Sequence, residues 1–365
     1  MISKVIIISL YYDPFCHTGA NKRLEEVAKN LSNIVEVELW VSSKVLLDTS
    51  VKLNLKCIKG IGYRKSILSR LTSWISICLK LENYKKNQNC VVISDLFPAI
   101  WSKSITTFQL VHDIRREQEL VKITNWIRFF ILKIGIFPAK RFITVSQFTK
   151  SKISTLFGVN QKDILVSYNG LSDEYYYQNY SNISRQNKQI IYVGDLDSRK
   201  NTYKILDIAL ELKNINFVFV ISRVDPSQST DIFFKKANDF NNVRICRSLT
   251  ESELIQEYRS SDASISLSSY EGFGMTLLES AACGCHVFCS RLSPHVEVVD
   301  IAKINSYTFI NLDESIQIIS KKIVKILENK NREKAKVLNV DSFTWRSVSI
   351  KLLKDMEDYE SQQVK

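Results

Sequence analysis

Proline and glycine are scarce in this chain, 5 and 10 among 365 residues. That scarcity, with 45% hydrophobic residues, excludes a collagen-like rod, a low-complexity linker and a long disordered tail. Also missing is any charge-free apolar run of the ~20 residues that a bilayer-spanning helix needs. Trp126 to Phe137 comes nearest, and Arg128 and Lys133 interrupt it. The first apolar run, Val5 to Leu10, is too short for a targeting sequence and is followed by Tyr11, Tyr12, Asp13 and Pro14 rather than a small-residue cleavage site. The expectation is a soluble or peripheral protein. No Cys-x-x-Cys knuckle occurs either. The 8 cysteines are spread over the chain, mostly inside apolar segments, as suits reduced core thiols in a cytosolic protein. One cluster, Cys283-Gly284-Cys285-His286 with Cys289, has metal-ligating residue types. It lacks a second pair and runs into a strand-like Val287-Phe288-Cys289, which favours a structural role.

What is present is length enough for two ordinary domains and a formal charge of +12. The charge is uneven. Residues 1–183 hold 25 basic and 14 acidic side chains, residues 184–365 hold 25 and 24, and residues 51–150 alone hold 18 and 5. An anionic partner for the first half is implied.

Short β-branched runs alternate with amphipathic stretches, the pattern of parallel sheets covered by helices. Strands are predicted at Val5–Leu10, Val35–Trp40, Val91–Ser94, Phe108–Val111, Phe142–Val145 and Ile164–Val166. In the second half they fall at Ile190–Val193, Phe217–Ile221, Val243–Cys246, Ala263–Leu267, Val287–Cys289 and Thr308–Ile310. Helices are predicted near 20–31, 66–85, 117–134, 147–156, 202–212, 230–240, 251–259, 274–283 and 315–328. Two doubly wound α/β domains follow, and such sheets bind ligands beyond the C-terminal ends of their strands. The polar stretch Tyr175 to Lys188 is the best linker candidate. This places domains at 1–183 and 184–344, with the last segment, 345–365, a helix packing back on the first.

The most informative segment runs from Ser268 to Gly284, after the predicted strand Ala263–Leu267 and into a helix. Glycines at a helix N-terminus expose amides to ligand oxygens with no Cβ in the way. Glu271 falls in the loop and Glu279 on the second turn of the helix, and carboxylates accept hydrogen bonds in pairs, as vicinal sugar hydroxyls require. On spacing alone, a solvated loop Glu and a helix-surface Glu remain an equal alternative.

The segment resembles the Glu-x7-Glu signature of retaining GT-B glycosyltransferases of family 4. Other stretches are similar to that family's motifs in the same order: Val145-Ser146, Asn169-Gly170, Gly194 to Asn201, Ser290 to Val299, and Phe343-Thr344-Trp345. The resemblance implies a GT-B fold, two Rossmann-like domains facing across a cleft, and a hexosyltransferase. It implies that Glu271 contacts the donor sugar with the amides of Gly272, Phe273, Gly274 and Met275, and that Glu279 binds the nucleotide ribose. Arg199 and Lys200 would neutralise the departing diphosphate. Gly194 opens the donor-domain loop, Gly19 matches one glycine of the N-terminal phosphate-approach loop, and His112 matches the histidine beside the reacting sugar. Arg23 reads as structural or acceptor-side. The chain departs from the pattern at Asp195, where arginine is common, at Ala20 beside Gly19, and at His286, where proline is usual. Asp195-Leu196-Asp197 also matches the Asp-x-Asp of metal-dependent transferases, but its place before Arg199 favours a loop role. No cofactor and no essential metal are expected beyond the nucleotide-diphosphate sugar itself.

A donor diphosphate needs only a few cations, so the basic surplus in 51–150 calls for another explanation. Ile67, Leu71, Trp74, Cys78 and Leu81 form a helical stripe among basic residues, and Trp126, Phe129, Phe130 and Leu132 do likewise in the next predicted helix. Such faces suit anionic lipid, and equally suit core helices with solvated basic sides. With the resemblance, the expectation is a lipid-diphosphate-linked glycan acceptor and a peripheral position on the inner face of the cell membrane. A sugar-nucleotide epimerase is the alternative enzyme. A nucleic-acid-binding protein is the non-enzymatic one; it lacks a helix-turn-helix, a zinc knuckle and an RNA-reading aromatic motif, so no nucleic-acid partner is expected.

Overall fold

The computed structural model describes residues 1–9, 19–41, 54–57, 67–82, 89–95, 99–114, 139–176, 188–221, 228–247, 249–329 and 334–363. The chain divides into two units, Met1–Gly170 with Trp345–Lys365, and Leu171–Thr344. The boundary at 183 expected from composition lies among residues 177–187, outside the described ones, as does the expected helix 117–134.

The first unit is built on seven parallel strands in the order β3-β2-β1-β4-β5-β6-β7. They are β1 Lys4–Ser9, β2 Glu36–Val41, β3 Asn54–Cys57, β4 Cys90–Ser94, β5 Thr106–Val111, β6 Arg141–Thr144 and β7 Ile164–Val166. The central strand β1 is buried along its whole length, as a strand covered on both faces must be. Its first residue is a lysine, 7% exposed, whose Nζ lies 2.7 Å from Glu36 and 2.6 Å from Glu38 on β2. Lys4 and Glu38 are thus enclosed at the start of the sheet, with Glu36 on its exposed side. Edge strand β3 carries too little apolar sequence to be foreseen.

Helices α1 Gly19–Leu31, α2 Ile67–Glu82 and α3 Gln147–Phe157 belong to this unit. Ser146 caps α3 by accepting from the Thr149 amide at 3.0 Å, and Gly158 ends it in the left-handed region. In α2, Ile77, Cys78 and Leu81 are buried and Trp74 packs against the same core. The stripe that would suit lipid or core therefore covers the sheet at Trp74, Cys78 and Leu81. Ile75 and Leu79, four residues apart, are exposed instead. Among the described residues no helix is long and apolar enough to cross a membrane.

The second unit has six parallel strands in the order β10-β9-β8-β11-β12-β13. These are β8 Gln189–Gly194, β9 Asn216–Ile221, β10 Val243–Arg247, β11 Ala263–Ser266, β12 His286–Ser290 and β13 Tyr307–Ile310. Its helices are α4 Thr202–Glu211, α5 Gln228–Asn238, α6 Glu251–Ser260, α7 Met275–Ala282, α8 Ser293–Ala302 and α9 Ile316–Leu327. A reciprocal capping box between Thr250 and Glu253 starts α6. The core is aromatic and branched: Phe219 and Phe233 meet edge to face at 5.7 Å, and Ile319 and Ile323 of α9 are fully buried four residues apart. Each such side chain contributes about 2 kcal/mol on burial.

The last helix, α10 Trp345–Gln363, returns to the first unit. Trp345, Val348, Leu352, Met356 and Tyr359 repeat at helical spacing and are all buried. Tyr359 donates to Asp163 at 2.7 Å, and Glu357 and Glu360 accept from the Ile2 amide and the Thr106 hydroxyl.

Candidate functional site

In the second sheet, β8 and β11 are adjacent although distant in sequence, so the loops leaving their C-terminal ends meet at the point where strand order reverses. The β8 loop is shaped first by Gly194. A Cβ there would lie 2.5 Å from the Tyr192 hydroxyl, which itself bonds the Asp195 carbonyl at 2.7 Å and Thr202 at 2.9 Å. Only glycine leaves room for that buried phenol. A short 3-10 turn, Ser198–Lys200, follows, capped by Asp197, whose carboxylate accepts from the Arg199 amide at 3.1 Å and from its Nε at 3.2 Å. Asp197 therefore orients an arginine. Asp195 contributes its carbonyl to Tyr192 and Thr202 and accepts from the Asp197 amide. Among the described residues no group of three or more His, Cys, Asp or Glu is placed to hold a metal ion.

The β11 loop brings Glu271 onto that turn. Its Oε1 accepts from Lys200 Nζ at 2.5 Å and from the Ser268 hydroxyl at 2.7 Å, and its Oε2 faces Arg199 at 3.3 Å. The side chains of Arg199, Lys200 and Glu271 are all about 15% exposed or less. Backbone bonds lock the loops together: the Ser269 amide donates to Arg199 O at 2.7 Å, and the Asn201 side chain donates to Leu267 O at 2.7 Å. Burial alone would raise the Glu271 pKa, but Lys200 and Arg199 outweigh it and hold the carboxyl at about 2. The cluster is a permanent carboxylate clasped by two cations.

Beyond Glu271 the chain turns into α7. Gly272, Phe273 and Gly274 are buried, and Gly274 sits at φ 110°, a backbone conformation that favours glycine. A Cβ at Gly274 would also stand 3.1 Å from His295 Cδ2. Met275 opens the helix, half-buried, and Glu279 lies one turn on, accepting from the Tyr258 hydroxyl at 3.0 Å.

Two residues here have no role assigned from the sequence. His295 sits on α8, a helix that was not predicted, and is fully buried. Its Nδ1 lies 2.9 Å from the Ser290 carbonyl, which can only accept, so Nδ1 carries the proton and Nε2 is left without a partner. Burial pushes its pKa down, against the pull of Glu271, and the ring is neutral. Tyr258, on α6, is likewise fully buried. His295 lies in the motif-like stretch Ser290 to Val299, whereas Tyr258 is a lone polar aromatic in an amphipathic stretch.

The cysteine cluster ends α7 and begins β12. Cys283, Cys285 and Cys289 are free, buried thiols, and Cys285 donates to the Tyr258 carbonyl. His286 bonds Ser306 at 2.8 Å and Thr308 at 2.9 Å. The remaining predicted residues lie in the first unit. His112 follows β5 and is half-buried, and Gly19 is the exposed first residue of α1. Arg23 is 2% exposed and donates to Ser167 Oγ, the Tyr168 carbonyl and Asn169 Oδ1 at 2.8–2.9 Å, binding α1 to the loop after β7.

The chain is similar to several known glycosyltransferases. The O-antigen chain mannosyltransferase RfbU of Salmonella typhimurium is 23% identical over 296 residues, 78% of this chain and 80% of the relative. The solved structure of Anabaena Alr3699/HepE in complex with UDP and glucose superposes with a TM-score of 0.72 at 16% identity, covering 98% of this chain and 100% of that one. WaaG, a glycosyltransferase involved in lipopolysaccharide biosynthesis, superposes at 0.68 and 13% identity, covering 98% of both chains. The fold is of the GT-B class. Residues 177–339, which include the whole Arg199–Lys200–Glu271 cluster, match the family described as Glycosyl transferases group 1, and the enzyme is a glycosyltransferase.

Proposed function

We propose that this enzyme transfers a hexose from a nucleoside-diphosphate sugar to a lipid-linked or growing polysaccharide acceptor, with retention of anomeric configuration. The observation that carries the proposal is the clasp of Lys200 and Arg199 on Glu271 at the loops where the second sheet reverses strand order. When a glycosidic bond to a diphosphate breaks, negative charge grows on the phosphate oxygens. Lys200 and Arg199 supply two fixed positive charges for it, in the role that a divalent ion plays elsewhere, so the reaction needs no essential metal. Glu271, ionised at every physiological pH, accepts from hydroxyls of the sugar, with the amides of Gly272 to Met275 beside it. Glu279 accepts from the ribose hydroxyls. His112 and Gly19, which the resemblance assigns to the sugar and the phosphates, lie in the first unit. The RfbU relative supports a hexose donor and a polysaccharide acceptor.

An acceptor of that kind is made at a membrane, and the basic excess of residues 51–150 supports a peripheral position on its cytoplasmic face. Exposed Ile75 and Leu79, next to exposed Lys80, supply an apolar contact there. Thermal-shift screening against UDP, GDP, dTDP and their sugars identifies the donor, because a ligand of the folded state raises its stability. With that donor, Glu271→Ala and Glu279→Ala each reduce turnover at least a hundredfold. Near-normal turnover in either removes the site assignment, and a product of inverted configuration removes the retaining reading.

A further inference from the structure

Tyr258 has no part in the chemistry above, yet its phenol is enclosed in the second unit and directed at one of the two carboxylates. We propose that Tyr258 is a positioning residue for nucleotide recognition: its hydroxyl fixes the Glu279 carboxylate in the orientation that receives the two vicinal hydroxyls of a nucleoside diphosphate's ribose. The proposal rests on the reading that Glu279 grips the ribose.

The direction of the bond is unambiguous. A carboxylate only accepts, so at 3.0 Å the Tyr258 hydroxyl donates to Glu279 Oε2. Burial, and then the charge of Glu279, push the phenol pKa well above its usual value, so the donor keeps its proton at any working pH. Nor is the phenol free to follow a mobile glutamate. Its residue is fully buried at the end of α6, and its carbonyl accepts from the Cys285 thiol at 2.9 Å and from the Ser261 amide at 3.1 Å. Tyr175, 3% exposed, is close enough for Glu279 to raise its pKa further above the effect of burial. The carboxylate thus borders a low-dielectric wall in which a charge-assisted hydrogen bond is stronger than in water.

The consequence is geometric. A glutamate on a helix surface rotates among several rotamers, and ordering such a side chain on binding costs about 1 kcal/mol. With Oε2 tied to Tyr258, the carboxylate plane is set before the ligand arrives. A carboxylate has roughly four acceptor positions, and at Glu279 the phenol takes one of them.

The test compares nucleotides that differ only in those hydroxyls. Calorimetry of the full-length enzyme with UDP and GDP, and with their 2′,3′-dideoxy counterparts, is repeated on Tyr258→Phe. The wild type is expected to prefer the ribonucleotide. The variant is expected to lose about tenfold in ribonucleotide affinity, the worth of one hydrogen bond to a charged group, and nothing in dideoxynucleotide affinity. Equal losses for both nucleotides, as a packing role predicts, overturn the proposal, and so does no loss. A wild type that does not distinguish the two sugars, or binds neither base nor ADP nor CDP, overturns the ribose role of Glu279 itself. A second readout does not depend on the variant's folding: with isotope-labelled tyrosine at position 258 of the wild type, the phenol resonance shifts on adding the ribonucleotide and stays in place with the dideoxy form. Identical shifts with both reject the proposal.

Discussion

Replacing Glu271 by glutamine is expected to tighten the binding of free nucleoside diphosphate while slowing transfer. Burial works against the Glu271 carboxylate, and Lys200 and Arg199 more than compensate, so its pKa stands at about 2 instead of 4.5. That difference corresponds to about 3 kcal/mol in favour of the charged form. The same two cations are assigned to the diphosphate, which must therefore share them with Glu271. If about half of that 3 kcal/mol is what the diphosphate forgoes, a neutral isostere returns roughly 1.4 kcal/mol, a tenfold lower Kd. Titration calorimetry of wild type and Glu271→Gln with UDP or GDP at pH 7.5 reads this directly, and steady-state kinetics reads the accompanying fall in kcat. The gain shrinks as salt screens the freed cations. Diphosphate affinity that is unchanged or weaker in the variant would refute the placement of the leaving group at Lys200 and Arg199. Between pH 5 and 9 the wild-type affinity should carry no inflection from Glu271, which is ionised throughout.

Gly274→Ala forces a side chain into positive φ and against the His295 ring, and should lower the melting temperature by more than Gly158→Ala, where φ is also positive but the space is open. The expected costs are about 3 and about 1 kcal/mol, and equal shifts would show that the His295 contact is soft. Arg23→Met leaves Ser167 Oγ, the Tyr168 carbonyl and Asn169 Oδ1 without their donor, for a loss of about 3 kcal/mol in urea unfolding; wild-type stability in this variant would mean that the loop repacks. Asp95, at the end of β4, accepts from Ser9 at 2.6 Å with Oδ1 shut away from solvent, and burial pushes its pKa up to about 6. Because the folded protein binds this proton more tightly than the unfolded chain, stability declines as pH rises from about 4 through 6, by up to about 3 kcal/mol. Asp95→Asn should flatten that part of the pH–stability curve and stabilise the protein at pH 7. An unaltered curve would place the titration elsewhere.

Much of the fold is readable in the sequence, because strand and helix periods are local. Ile6 to Ile8 and Phe217 to Ile221 are too apolar and β-branched to be anything but covered strands, and Ile319 with Ile323 marks one helical face. Local pattern is silent where packing decides. In α2, Trp74, Cys78 and Leu81 make an apolar stripe that would serve lipid or core equally, and the sheet claims it. Helix α8 is absent from the expected elements, although Pro294 stands in its first turn, where proline is well placed. Tyr258 gave no signal, since nothing in α6 tells which of its residues points toward α7.

The sequence by itself determined two parallel-sheet units, a glycine-bearing strand-to-helix loop with Glu271 and Glu279 at its ends, and a basic first half. It also placed Arg199 and Lys200 after a strand. What only the tertiary structure decided is the pairing: Lys200 and Arg199 with Glu271, Tyr258 with Glu279, Lys4 with Glu36 and Glu38, and His295 beneath Gly274. The Glu271 clasp joins residues about seventy apart in the chain, and it exists because β8 and β11 are neighbours in the sheet. Periodicity fixes which face of an element is buried. Strand order fixes which charges meet, and that order is set by the packing of the whole unit.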